Sequence, residues 1–227
     1  APESGKTVTY NTDLPVDDLG MILLYASPEP SVESEAAGRV LARHLRNRAF
    51  DTLRTEEQLG YAAGGIATTL QDHPVIGFYI QTPVKGPVEM LARFEAFTEE
   101  YGKTLEALSA DQFANLKSGV LTALTEPPTN LADEAGPFLS DWNRERYEFG
   151  SRQQMIAAVE AVTIDDVRAH YRETVLAPKP SRILIQLRGE RWSDSPFAMI
   201  EGATVIDSIE AFHESMPLQP LDEPERK

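Results

Sequence analysis

Phe50-Asp51-Thr52-Leu53-Arg54-Thr55-Glu56-Glu57-Gln58-Leu59-Gly60-Tyr61 is the stretch at which this chain changes its hydrophobic period. Upstream, Ala37, Val40, Leu41, His44 and Leu45 recur at three- and four-residue spacing and make one apolar helix face. No Gly or Pro interrupts Arg39 to Leu59, so the helix is expected to run through Phe50 and Leu53 towards Gly60. Downstream, Tyr61 to Leu70 is poor in charge and rich in Ala, Gly and Thr, and Val75 to Thr82 carries the β-branched and aromatic residues of a strand. The intervening Gln71-Asp72-His73-Pro74 reads as a turn, which predicts a hairpin following the helix.

Outward from this junction the punctuation is regular. Ser31 caps the long helix, and Glu33 and Glu35 suit its positive end. Before it, Gly20 to Tyr25 reads as a buried strand next to an extended Thr7 to Tyr10. After Gly86 the period is helical, with Met90, Phe94, Phe97, Tyr101 and Leu108 on one face. Ser109 and Gln112 form a capping box for a helix carrying Phe113, Leu116, Val120 and Leu124, which Pro127-Pro128 ends. Asn130 caps a stretch through Phe138 and Trp142, Ser151 with Gln154 starts another, and Thr163 with Asp166 a last one. Arg182 to Leu187 returns to a strand. The expectation is an α+β fold of two layers: a mainly antiparallel sheet carrying Leu23, Phe78, Ile80 and Ile185, with helices packed on one face. Residues 1–190 form the domain. Residues 191–227 form a loop-rich tail whose short amphipathic piece around Ile206, Ile209 and Phe212 packs back on it.

Asp and Glu outnumber Lys and Arg by 36 to 21, a formal charge of −15, which argues against a nucleic-acid or anionic-membrane surface and would attract basic peptides, while the ordinary reading of such acidity is solubility alone. The absence of cysteine excludes disulfides, thiol catalysis and thiolate metal sites. The longest apolar stretch, Met21 to Ala26, is far short of the ~20 residues of a membrane helix. Ala1-Pro2-Glu3-Ser4-Gly5 has neither the basic nor the apolar part of a secretory signal.

Catalytic constellations are missing from the sequence. His44, His73, His170 and His213 are widely separated, and the residues after His44 hold neither the Glu nor the second His of an H-x-x-E-H zinc motif. His44 falls on the apolar stripe and reads as a hydrogen-bonded core histidine. Phe149-Gly150-Ser151-Arg152-Gln153 lacks the second Gly of a nucleophile elbow, so Ser151 is better used as a helix cap. Gly60-Tyr61-Ala62-Ala63-Gly64-Gly65 matches no phosphate-binding pattern and reads as a closely approached strand. The pairs Glu56-Glu57, Glu99-Glu100 and Asp165-Asp166 diverge on a helix and read as solvated faces.

The junction nevertheless resembles the L-R-T-x-E-Q-L-G-Y run of the pitrilysin and insulysin family of zinc metallopeptidases, here Leu53 to Tyr61. Leu124-Thr125-Glu126-Pro127, Tyr147-Glu148-Phe149 and Tyr171 in the Thr163 helix agree with it, as does the closing Val205 to Phe212 followed by Pro217-Leu218-Gln219-Pro220. The resemblance covers nearly the whole chain and is to the C-terminal, fourth domain of that family, the metallopeptidase-repeat fold also seen in mitochondrial processing peptidases. It implies that the H-x-x-E-H motif and its Zn2+ belong to the N-terminal half of a longer polypeptide and that no metal is held here. This domain would then be non-catalytic, form part of the substrate chamber, and have the N-terminal domains of the same polypeptide and the peptide substrate as partners. The family's substrate-contacting Arg and Tyr fall on Arg54 and Tyr61, where a guanidinium bonds a peptide carbonyl and a phenol steadies a developing oxyanion. Without the resemblance, Arg54 would be expected to pair with Glu57 and Tyr61 to fill the core. Ala62-Ala63-Gly64-Gly65 is smaller than the strand of the insulysin branch, which leaves substrate preference open. The alternative is a catalytically silent subunit or peptide-binding module that pairs with a separate active zinc peptidase.

Overall fold

Six strands make one sheet in the order β3-β4-β2-β5-β1-β6. They are β1 (Thr7–Asp13), β2 (Leu19–Ala26), β3 (Ala62–Leu70), β4 (His73–Thr82), β5 (Ser181–Arg188) and β6 (Thr204–Ile206). The structure is a computed structural model and describes residues 4–28, 30–70, 73–206, 208, 210 and 212. Gln71, Asp72, Ile209 and the Pro217-Leu218-Gln219-Pro220 finish therefore lie outside the described residues. The expected hairpin is β3 on β4, with Ala63 opposite Ile80 and Ala67 opposite Ile76.

The sheet is mixed. The pairings β3–β4, β4–β2 and β2–β5 are antiparallel, whereas β1 runs parallel to both β5 and β6. Thr7 to Tyr10 is thus not beside β2 as its sequence neighbourhood suggests, because β5 lies between them. Leu19, Met21 and Leu23 share a face with Phe78, Ile80 and Leu184, all buried. Ile185 sits on the opposite face with Ile22, and both are only partly covered. Period-two alternation places the core residue of β5 one position earlier than the sequence reading did.

Helices α1 (Val32–Ala49) and α2 (Pro87–Glu106) cover the buried face. Ala37, Val40, Leu41 and Leu45 of α1 are buried, as are Met90, Phe94, Phe97 and Tyr101 of α2. Phe78 meets Phe97 edge to face, with centroids 5.2 Å apart. His44 is half-buried and shares a 2.9 Å hydrogen bond with the Tyr101 hydroxyl, and burial, aided by Arg48, holds its pKa below the ordinary value. Outside α1 lie α3 (Ala110–Thr125), α5 (Ser151–Ala161) and α6 (Ile164–Thr174), and α4 (Leu131–Asn143) precedes α5. Tyr171 of α6 donates its hydroxyl proton to the Thr98 carbonyl at 2.8 Å, closing the layers over the tyrosine pair Tyr101–Tyr171.

The caps at Ser31, Ser109, Asn130 and Thr163 form as the sequence indicates. Ser151 does not cap α5. Gly150 takes that place, and the Ser151 N–H donates instead to Asp141 Oδ2 at 3.3 Å. Ile206, read as part of an amphipathic piece, lies in β6 opposite Tyr10. Just beyond it the Phe212 N–H bonds the Ser208 carbonyl at 3.0 Å, the spacing of one helical turn. Among the described residues no helix is long and apolar enough to cross a membrane.

Candidate functional site

Helix α1 does not stop at Ala49 but widens into a π-helical turn, Phe50–Glu56, in which the Glu57 N–H bonds the Thr52 carbonyl at 3.0 Å. Such turns are rare, and they concentrate at functional positions because the extra residue per turn re-aims side chains. The turn is pinned from below by Leu53 and Leu59, both buried, with the Leu59 N–H bonded to the Leu53 carbonyl at 3.0 Å. Chain reversal occurs at Gln58, whose φ is +52°, rather than at Gly60. Gly60 serves another purpose: a Cβ there would stand 2.0 Å from the Gln81 carbonyl oxygen, so only glycine lets the junction lie against β4. The Thr82 hydroxyl, which donates to the Leu59 carbonyl and accepts from the Val84 N–H, ties the same point to the end of β4.

This backbone brings Arg54 and Tyr61 together on an open surface. Tyr61 is 83% exposed and precedes the first residue of β3. The Arg54 guanidinium carbon lies 5.5 Å from the Tyr61 ring centroid and 4.7 Å from that of Phe50, so the cation is held between two aromatic faces. Neither ordinary alternative occurs. Glu57 is taken by Arg93 of α2, whose Nε lies 2.8 Å from Glu57 Oε2 and whose Nη2 also reaches Glu100 at 2.9 Å. Among the described residues no carboxylate pairs with Arg54. Its donors are therefore aimed by stacking rather than consumed by an ion pair, which suits a guanidinium that must bond a ligand carbonyl.

Phe50 and Arg93 are the members that sequence reasoning did not single out. Phe50 stands four residues before Arg54, the helical spacing that makes side chains meet, and that spacing was the available signal. Arg93 gave none, since its pairing with Glu57 spans 36 residues. Among the described residues no group of three His, Asp or Glu side chains converges as metal ligands. Among the described residues, His44 is engaged with Tyr101, His73 lies 3.0 Å from the Ser27 carbonyl and His170 is buried beside Ser34, so these three histidines do not converge as zinc ligands. Two open grooves, about 610 and 760 Å³, run between α1, α3 and the outer end of β3, and neither includes Arg54 or Tyr61.

Residues 40–139 match the family described as PQQ synthase PqqF-like, C-terminal lobe domain 4. The match covers less than half of the chain, which is similar over that stretch to the C-terminal lobe domains of such proteins. Protease 3 of Escherichia coli strain K12 is 28% identical over 185 residues, 82% of this chain and 19% of that protein. The putative zinc protease mug138 of Schizosaccharomyces pombe is 23% identical over 238 residues, 99% of this chain and 24% of its own length. In three dimensions the crystal structure of pitrilysin covers 96% of this chain with a TM-score of 0.87 at 24% identity, the match taking 23% of that chain. The present chain thus spans about a fifth to a quarter of the curated relatives it matches.

Proposed function

We propose that this domain is the non-catalytic partner of a zinc endopeptidase unit carried elsewhere in a longer polypeptide, and that it forms one wall of the chamber in which a peptide is cut. Arg54 donates hydrogen bonds to a carbonyl of the bound peptide near the scissile bond, and the Tyr61 hydroxyl donates to the oxygen on which negative charge develops. Zinc and the general base come from the other part of the polypeptide. The observation that carries the reading is the Phe50–Arg54–Tyr61 stack, a cation without a carboxylate on an exposed π turn. Charge supports it, because a surface of −15 favours the approach of basic peptides.

The test is kinetic, in the full-length enzyme. Arg54→Ala removes charge-assisted hydrogen bonds of about 1.5–3 kcal/mol, so kcat/KM should fall about tenfold to a hundredfold, and Arg54→Lys should restore little because lysine does not stack as a planar fork. Tyr61→Phe should lower kcat more than it raises KM. Parental kinetics for both Arg54→Ala and Tyr61→Phe would leave these residues structural. A silent subunit paired with a separate peptidase would present the same two side chains, and the reading frame upstream of Ala1 distinguishes the two arrangements by the presence or absence of an H-x-x-E-H domain.

A further inference from the structure

Helix α4 is built the wrong way round for a helix that belongs only to this domain. Leu131, Phe138 and Trp142 recur at spacings of seven and four, one helical stripe, and would ordinarily face the core. They point outward instead, and with Leu139 and Tyr147 each is more than half exposed. The residue α4 buries is Asp141, which accepts the Ser151 N–H that opens α5. The aromatic residues are ordered against one another, Trp142 on Tyr147 with centroids 5.6 Å apart and Phe138 on Phe149 at 6.3 Å. Exposed apolar clusters of this kind on a folded surface mark a site of association.

We infer that the outer face of α4 and the loop after it is the seat on which a neighbouring domain of the same polypeptide packs, through an apolar face of its own. The occupant follows from length: relatives matched along most of this chain are four to five times longer, so a fold of this kind stands beside further domains of one polypeptide. The inference rests on the longer polypeptide proposed above but not on peptide cleavage.

Because the chain has no cysteine, Leu139→Cys places a single reporter thiol on the face. Its maleimide modification is read by mass of the peptide spanning position 139, in the 227-residue chain and in the full-length polypeptide, each normalised to its rate in denaturant. The expected result is fast modification in the isolated chain and at least tenfold slower modification in the full-length polypeptide, with peptidase kinetics playing no part in the readout. Leu139→Asp should leave the unfolding midpoint of the isolated chain unchanged and lower that of the full-length polypeptide. Equal rates in the two settings overturn the inference. So does slow modification in the isolated chain: if the chain is monomeric there, its own residues cover the face, and if it forms a dimer that Leu139→Asp dissociates, the occupant is a second copy.

Discussion

Lowering the pH from 7.5 to 5 should cost this chain about 2 kcal/mol through His170 alone. The imidazole lies in the interface between α1 and α6, with Nδ1 3.3 Å from the Ser34 hydroxyl and Nε2 buried without a partner against Gly38, where a Cβ would stand 3.2 Å away. Burial pushes its pKa down to about 4 from the ordinary 6.5. The folded state therefore refuses a proton that the unfolded chain accepts. Stability is fully present above pH 6.5 and is lost progressively as pH falls towards 4, in total about 3 kcal/mol for a shift of ~2.5 units. Urea unfolding followed by tryptophan fluorescence, at several pH values between 7.5 and 5, measures it directly. His170→Gln should flatten the profile, and the difference between the two slopes isolates this side chain from His44, which titrates in both proteins. Identical pH dependence in parent and variant would refute the reasoning, whatever the variant's absolute stability.

Gly60→Ala should destabilise the chain by about 3 kcal/mol, because the new methyl meets the Gln81 carbonyl oxygen and must push the π turn away from β4; chemical unfolding of the isolated chain measures it. After dialysis the isolated 227-residue chain should retain no stoichiometric zinc and cleave no peptide, and one tightly held zinc per chain by metal analysis would overturn that expectation.

The parts of this fold legible in the sequence are those governed by local chemistry. The stripe of α1, the run from Met90 to Tyr101 and four of the five predicted caps depend on residues a few positions apart, and they stand in the structure as read. Ser151 misleads because the choice of cap there is decided by Asp141, ten residues away, whose carboxylate receives the N–H at 3.3 Å. The parallel pairing of β1 with β5 joins residues about 175 positions apart, and nothing in the local pattern of Thr7 to Asp13 distinguishes it from an outer antiparallel strand. At the candidate site, Arg54 and Tyr61 were reached through a motif, whereas the π turn that brings them together was not. A π turn and an α-helix share the same residue types, and only the buried anchors Leu53 and Leu59 and the close approach at Gly60 select between them.

The place of β1 in the sheet has a consequence for biosynthesis. Both of its neighbours, β5 and β6, lie in the last fifth of the chain, so Thr7–Asp13 leaves the ribosome long before anything exists for it to pair with. At ~5–20 residues per second, roughly 10–35 s of translation separate the strand from its first partner. During that time β2, β3 and β4 can assemble with α1 and α2, because their contacts lie within one contiguous run. Closure around β1 then has to be the late, slow event, joining the two ends of the chain after its middle is already ordered.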